Sequence, residues 1–134
     1  VRASAEIARL LNLRTADPLL QMRRVLGFSG IPTICEDIWL PATPFKGLSV
    51  AQLSAHPGAM YSLFESVFGV RMVRAEERIK AVSPDPAACE LLKVGADTPL
   101  LSVERVAYTY NNAPMELRRA LYRTDTHHYK NELN

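Results

Sequence analysis

The stretch DPLLQMRRV, residues 17–25, returns as TPLLSVERV at 98–106. At a constant offset of 81 positions, Leu10, Leu11, Pro18, Leu19, Leu20, Arg24 and Val25 meet the identical residues Leu91, Leu92, Pro99, Leu100, Leu101, Arg105 and Val106. The offset never slips, so whatever local structure the first stretch builds, the second must build again. In the first, Ile7, Ala8, Leu10 and Leu11 form a helical apolar stripe within 5–12, RTADP turns the chain, and 19–28 reads as a strand. In the second, Asp85 and Pro86 open a helix that runs through Lys93, VGADTP turns, and 100–110 reads as a strand. Ser4 and Asp85 are equivalent under the offset, and both side chains suit a helix N-cap. Each strand then meets a turn, SGIP at 29–32 and NNAP at 111–114, and a second extended run, 33–41 and 115–124. The spacing predicts a helix, strand and hairpin unit written twice.

Between the copies, Met60, Leu63, Phe64, Val67 and Phe68 fall at i, i+3, i+4, i+7 and i+8, with Gly69 placed to end the helix. VRMVRAEERIKAV, 70–82, reads as one long strand, with Ala75, Glu77, Ile79 and Ala81 on one side and Glu76, Arg78 and Lys80 on the other. Residues 40–58, rich in proline, read as a loop with one helical turn at 49–53. The expected class is α+β, an antiparallel sheet backed by helices, in one domain spanning 1–134.

Composition narrows the function. Sixteen basic and fourteen acidic residues leave a charge of +2, with no basic stripe for a phosphate backbone. No stretch is long and apolar enough to span a bilayer, and VRASAEIARLL lacks the apolar core of a signal peptide. A cytoplasmic fragment of a longer protein is the expectation. Cys35 and Cys89 have no metal-like spacing and no evident activating base, and read as two reduced, buried thiols. His127 and His128, adjacent in sequence, would face opposite ways in a strand and cannot share a metal there, and His56 stands alone, so surface histidines are expected. Neither a cofactor nor a metal is expected.

The candidate chemistry lies on the strands. Arg24 shares a face with Leu20, Met22, Leu26 and Phe28, and a guanidinium on an apolar face needs a carboxylate. Glu36 would lie directly opposite it, on the same face, if SGI forms a three-residue hairpin loop with Gly30 left-handed. A different loop length would turn the two to opposite faces. The pair serves either as a buried ion pair that fixes the hairpin or as part of a ligand site. Further along, Glu116, Arg118, Ala120 and Tyr122 alternate onto one face, either a wet sheet face or a surface that holds a polar ligand. Arg105, the copy of Arg24, reads as structural.

Five phrases in order, Ala59-Met60-Tyr61 at a helix start, Phe68-Gly69 before a strand, Arg74-Ala75-Glu76, Pro99-Leu-Leu-x-Val-x-Arg105, and Pro114-x-Glu116 leading to Tyr122-Arg-x-Asp125, resemble the UTRA domain, the ligand-sensing domain of GntR-type bacterial repressors. The resemblance covers nearly the whole chain. It implies a chorismate-lyase-like fold, a homodimer, and a small-molecule pocket controlling a preceding winged helix-turn-helix domain, through which alone DNA would be bound. It also implies pocket roles for Glu36, Glu116, Tyr61 and Tyr122, and tips Arg24 towards the ligand. Family members that sense sugar phosphates usually carry Arg-x-Arg on the first strand and a serine two residues before the helix tyrosine; here Leu26 and Ala59 stand at those positions. The expected effector is therefore a small carboxylate, amino-acid-like or hydroxylated compound, with an unphosphorylated sugar as a further option, held by Arg24, Glu36, Tyr61, Glu116, Arg118 and Tyr122. The alternatives are an enzyme on the same fold, with Glu36 and Glu116 as acid and base, and a dimerisation module with a vestigial pocket.

Overall fold

A computed structural model describes residues 1–55 and 60–133; His56 and Ala59 lie outside the described residues. In chain order the elements are α1 (Ala5–Leu10), β1 (Leu19–Phe28), β2 (Ile31–Pro41), α2 (Val50–Ala55), α3 (Met60–Phe68), β3 (Arg74–Val82), α4 (Pro86–Leu92), β4 (Leu100–Tyr108), a 3-10 turn (Tyr110–Asn112) and β5 (Pro114–Arg123). The five strands form one antiparallel sheet in the order β1-β2-β5-β4-β3. The class is α+β, as expected.

The duplication is carried down to single hydrogen bonds. Ser4 caps α1 by accepting from the Ile7 amide at 3.3 Å, and Asp85 caps α4 by accepting from the Ala88 amide at 2.8 Å. Ile7 and Ala88 are again 81 positions apart. Leu11 and Leu92, at the ends of the two helices, are both buried, as are Leu19 and Leu100 where the following strands begin. A cap fixes where each helix starts, and the two buried leucines fix how it lies on the sheet.

In the first hairpin the register comes out as expected but through a different turn. Only Ser29 and Gly30 separate the strands, both with positive φ (53° and 78°), as in the mirror-image turns that suit strand twist. A bare two-residue turn would set Arg24 opposite Cys35. The Arg23–Asp37 and Arg24–Glu36 contacts both demand a register one residue longer, so β2 carries one extra residue between the turn and Glu36. Pro32, which has no N–H for the ladder, sits there, its α-carbon and the Ile31 carbonyl lying against Gly27.

The expected strand at 70–82 is shorter than its pattern. Strand geometry begins at Arg74, although the Val73 amide donates to the Tyr108 carbonyl at 2.8 Å. Residues 74–81 are exposed on both sides; β3 is also an edge strand, and its run of Glu, Arg and Lys is what such an edge carries against pairing with other chains. The turn expected at 49–53 is the six-residue helix α2.

The chain divides into two compact units. The first comprises 1–22, 38–76 and 105–117. One of its cores packs Ile38, Leu40, Phe45, Met60, Leu63 and Phe64, with Phe45 edge-on to Phe64 at 4.7 Å between ring centres; another joins Ala8 and Leu11 of α1 to Leu19, Trp39, Val106 and Leu117. The second comprises 23–37, 77–104 and 118–134, and its core is Cys35, Ala88, Leu92 and Leu100.

Candidate functional site

In the second unit, Arg24 donates through Nε to Glu36 Oε1, and Arg118 Nη1 lies 3.9 Å from the other carboxylate oxygen, Oε2. The Glu36 side chain is 3% exposed, and those of Arg24 and Arg118 are 19% and 18% exposed. A carboxylate this deep needs compensation. Here the guanidinium groups of Arg24 and Arg118 supply it. The face of β5 that could have been a wet surface is thus largely removed from water at Arg118 and Ala120, and Tyr122 is half-buried further along it.

In the first unit, Glu116 is fully buried and accepts from the Tyr61 hydroxyl at 2.9 Å. Tyr61 stands on α3, placed by Met60, Leu63 and Phe64 as they seat that helix on its core. Gly69, with φ of 68°, ends the helix, its amide donating to the Glu65 carbonyl at 3.2 Å. Arg105 Nη1 donates to the same Tyr61 hydroxyl at 3.4 Å. Arg105 was expected to be structural, yet it reaches a candidate site residue. Its equivalence to Arg24 was the available signal.

Arg123 and Asp125 also have a definite task. Arg123 pairs with Asp125 through Nε and Nη2 at 2.8 and 2.9 Å, and its Nη1 donates to the carbonyls of Pro32 and Leu92. It ties β2 to the C-terminal end of α4. Its hydrogen bond holds the Asp125 carboxyl below the usual aspartate range. Burial, ahead of the nearby Asp37 charge, pushes the Cys35 thiol up, which suits an unreactive core cysteine. Cys89, expected to be buried as well, is half-exposed. His127 lies tilted against Phe28 at 5.6 Å between ring centres. Among the described residues no group of three or more His, Cys, Asp or Glu side chains is placed to hold a metal ion, and no helix is long and apolar enough to cross a membrane. A cavity of about 420 Å³ in the first unit, walled in part by Leu11, Pro18, Pro41, Pro44 and Met115, contains none of the six candidate residues.

Comparison with known proteins agrees with the fold. The family described as UTRA domain matches residues 1–128. The HTH-type transcriptional repressor PhnF of Mycolicibacterium smegmatis is 32% identical over 123 residues, covering 92% of this chain and 49% of that protein; the chain thus spans about half the length of this curated relative. The ligand-binding domain of a GntR-family regulator from Bordetella bronchiseptica superposes with a TM-score of 0.92 at 49% identity, covering 100% of this chain and 84% of that one. The effector domain of PhnF from Mycobacterium smegmatis gives a TM-score of 0.87 at 28% identity, covering 100% and 81%. The chain belongs to the UTRA family, the effector-binding domains of GntR-type transcriptional regulators.

Proposed function

We propose that this domain binds a small effector bearing a carboxylate, amino-acid-like or hydroxylated, and thereby controls operator binding by a helix-turn-helix domain that precedes it in a cytoplasmic homodimer. The observation that carries the effector class is the arrangement of two arginines on one buried glutamate. A guanidinium receives a single carboxylate through parallel hydrogen bonds. Leu26 and Ala59 stand where sugar-phosphate sensors of the family usually carry an arginine and a serine, so a phosphate would find too few donors. Tyr61 and Glu116 supply a phenol and an acceptor for hydroxyl or ammonium groups, and Tyr122 is assigned to the same task. The role is binding and not turnover. The related proteins are named as transcriptional regulators, and a buried carboxylate bonded to a tyrosine serves recognition as it stands.

The deciding experiment is thermal unfolding of residues 1–134 against a metabolite panel of carboxylates, amino acids, sugars and sugar phosphates. A ligand at a hundred times its dissociation constant adds about 2.7 kcal/mol. A carboxylate or amino acid should stabilise the domain more than any sugar phosphate. Stabilisation by a sugar phosphate alone would overturn the effector class, and turnover of any panel member would overturn the non-enzymatic reading.

A further inference from the structure

We propose that the cavity of about 420 Å³ in the first unit binds a small alkylguanidinium, with Asp17 as its counter-ion and its cation in the place equivalent to the one Arg123 fills in the second unit. None of the six candidate effector residues lines this cavity, so the inference goes beyond the effector site and stands whether or not that assignment does.

The duplication supplies the correspondence. The ion pairs Arg23–Asp37 and Glu104–Arg119 each join the two strands of one hairpin. Arg23 and Glu104 are 81 positions apart, whereas Asp37 and Arg119 are 82 apart, so past the hairpin turns the two copies correspond at one residue more. Pro41 is then the equivalent of Arg123, Ala42 of Thr124 and Thr43 of Asp125. One hydrogen bond in each copy checks this register. The Ala42 amide donates to the Pro18 carbonyl at 3.2 Å, and Thr124 Oγ1 donates to the Pro99 carbonyl at 2.6 Å; Pro18 and Pro99 are equivalent under the offset of 81.

In the second unit Arg123 donates through Nη1 to the carbonyls of Pro32 and Leu92 at 3.2 and 3.4 Å, while its Nε and Nη2 hold Asp125. The equivalents of Pro32 and Leu92 are Pro114 and Leu11, and both line the cavity, as do Pro41, Ala42 and Thr43. The first unit thus keeps the cradle and lacks the guanidinium, because Pro41 brings no N–H donor to it. Among the described residues that line the cavity there is no Lys, Arg or His, and Asp17 is the one acid. It stands where the second copy has Thr98. Asp17 Oδ2 accepts from the Arg14 amide at 2.9 Å, one of the roughly four bonds a carboxylate can accept, and a planar fork of N–H donors suits the remainder. The volume falls in the range of about 300–1,000 Å³ usual for small-molecule sites, and the proline rings and Met115 offer apolar walls to an alkyl chain.

The test uses protein carrying carbon-13 in the methyl groups of its four methionines, of which Met115 lines the cavity. The probes are n-butylguanidinium, n-butylurea and pentanoate, similar in length and different in charge. Butylguanidinium should move the Met115 methyl signal saturably and bind about tenfold more tightly than butylurea, the gain of a charged over a neutral hydrogen bond. Pentanoate should bind more weakly than either. Asp17→Asn keeps an oxygen for the Arg14 amide and removes the charge. Its affinity for butylurea should be unchanged, reporting an intact cavity, and its preference for butylguanidinium should fall near unity. Equal affinities for butylguanidinium and butylurea in wild-type protein overturn the site, as does a preference that survives Asp17→Asn. A Met115 signal that stays still, or that moves no more than the other three, overturns it too.

Discussion

Replacing Glu36 by Gln should damage this domain more than replacing its partner Arg24 by Met. Glu36→Gln leaves Arg24 and Arg118, with side chains only 19% and 18% exposed, facing a neutral amide. Breaking a buried pair by removing one member costs about 3–5 kcal/mol, and this variant removes a contact from two guanidinium groups at once. Arg24→Met strands Glu36, but Arg118 stands 3.9 Å from Oε2. A pair at about 4 Å is worth about 4 kcal/mol at an effective dielectric constant near 20, so the second arginine takes up much of the loss and the net cost falls to about 1–2 kcal/mol. The double variant Arg24→Met with Glu36→Gln keeps approximate volume and removes both charges, and should recover at least half of the Glu36→Gln deficit. Urea unfolding at one fixed protein concentration measures all three. Trp39 fluorescence follows the first unit and Glu36 belongs to the second, so far-UV circular dichroism must give the same midpoint before a single free energy is assigned. If Glu36→Gln proves no less stable than Arg24→Met, Glu36 is not the common counter-ion of two arginines and the cluster lends no support to a carboxylate effector.

Three further outcomes follow from other parts of the molecule. Asp125→Asn should lower the unfolding midpoint at pH 6. Because the folded-state pKa of Asp125 lies below its ordinary value, the contribution is present above the usual aspartate pKa and fades as pH falls through the folded one, so a deficit persisting undiminished at about pH 2 would contradict the pairing with Arg123. Iodoacetamide should label the half-buried Cys89 before the buried Cys35, whose thiol is pushed up by burial; peptide mass spectrometry reads the order, and reversal would contradict the second core. Sedimentation should find a homodimer of residues 1–134 at about tens of micromolar, a range where weak interfaces show, and a monomer across that range would count against the proposed assembly.

Local signals were legible and long-range ones were not. The caps at Ser4 and Asp85, the helix from Met60 to Phe68 and its glycine stop, and the pairing of Arg24 with Glu36 depend on residues close in sequence, where periodicity and turn arithmetic apply. Even there, the turn was misjudged by one residue, and the register held because β2 absorbs the difference. The edge position of β3 was hidden: strand alternation describes which way side chains face, whereas an edge is decided by which strands pair. Tyr61 and Glu116 could each be nominated from the family resemblance. Their bond spans 55 positions and depends on where α3 docks, which no spacing encodes. For the same reason the strand neighbours of Arg105 point to a core role and do not reveal its reach to Tyr61. The cavity beneath Pro18, Pro41 and Pro44 is walled by turns from separate parts of the chain and leaves no pattern to read.

The two compact units do not coincide with the two repeats. The first repeat gives its helix to one unit and Arg24 to the other; the second gives its helix to the unit that holds Arg24, and Arg105 to the unit that holds α1. Each copy therefore supplies a part of the unit that holds the other's helix. A gene rearrangement that deleted either repeat would leave two broken units in place of one intact half, and exchange of a repeat with a related gene would have to supply both the helix of one unit and the arginine of the other. Removing either repeat would therefore break both units at once.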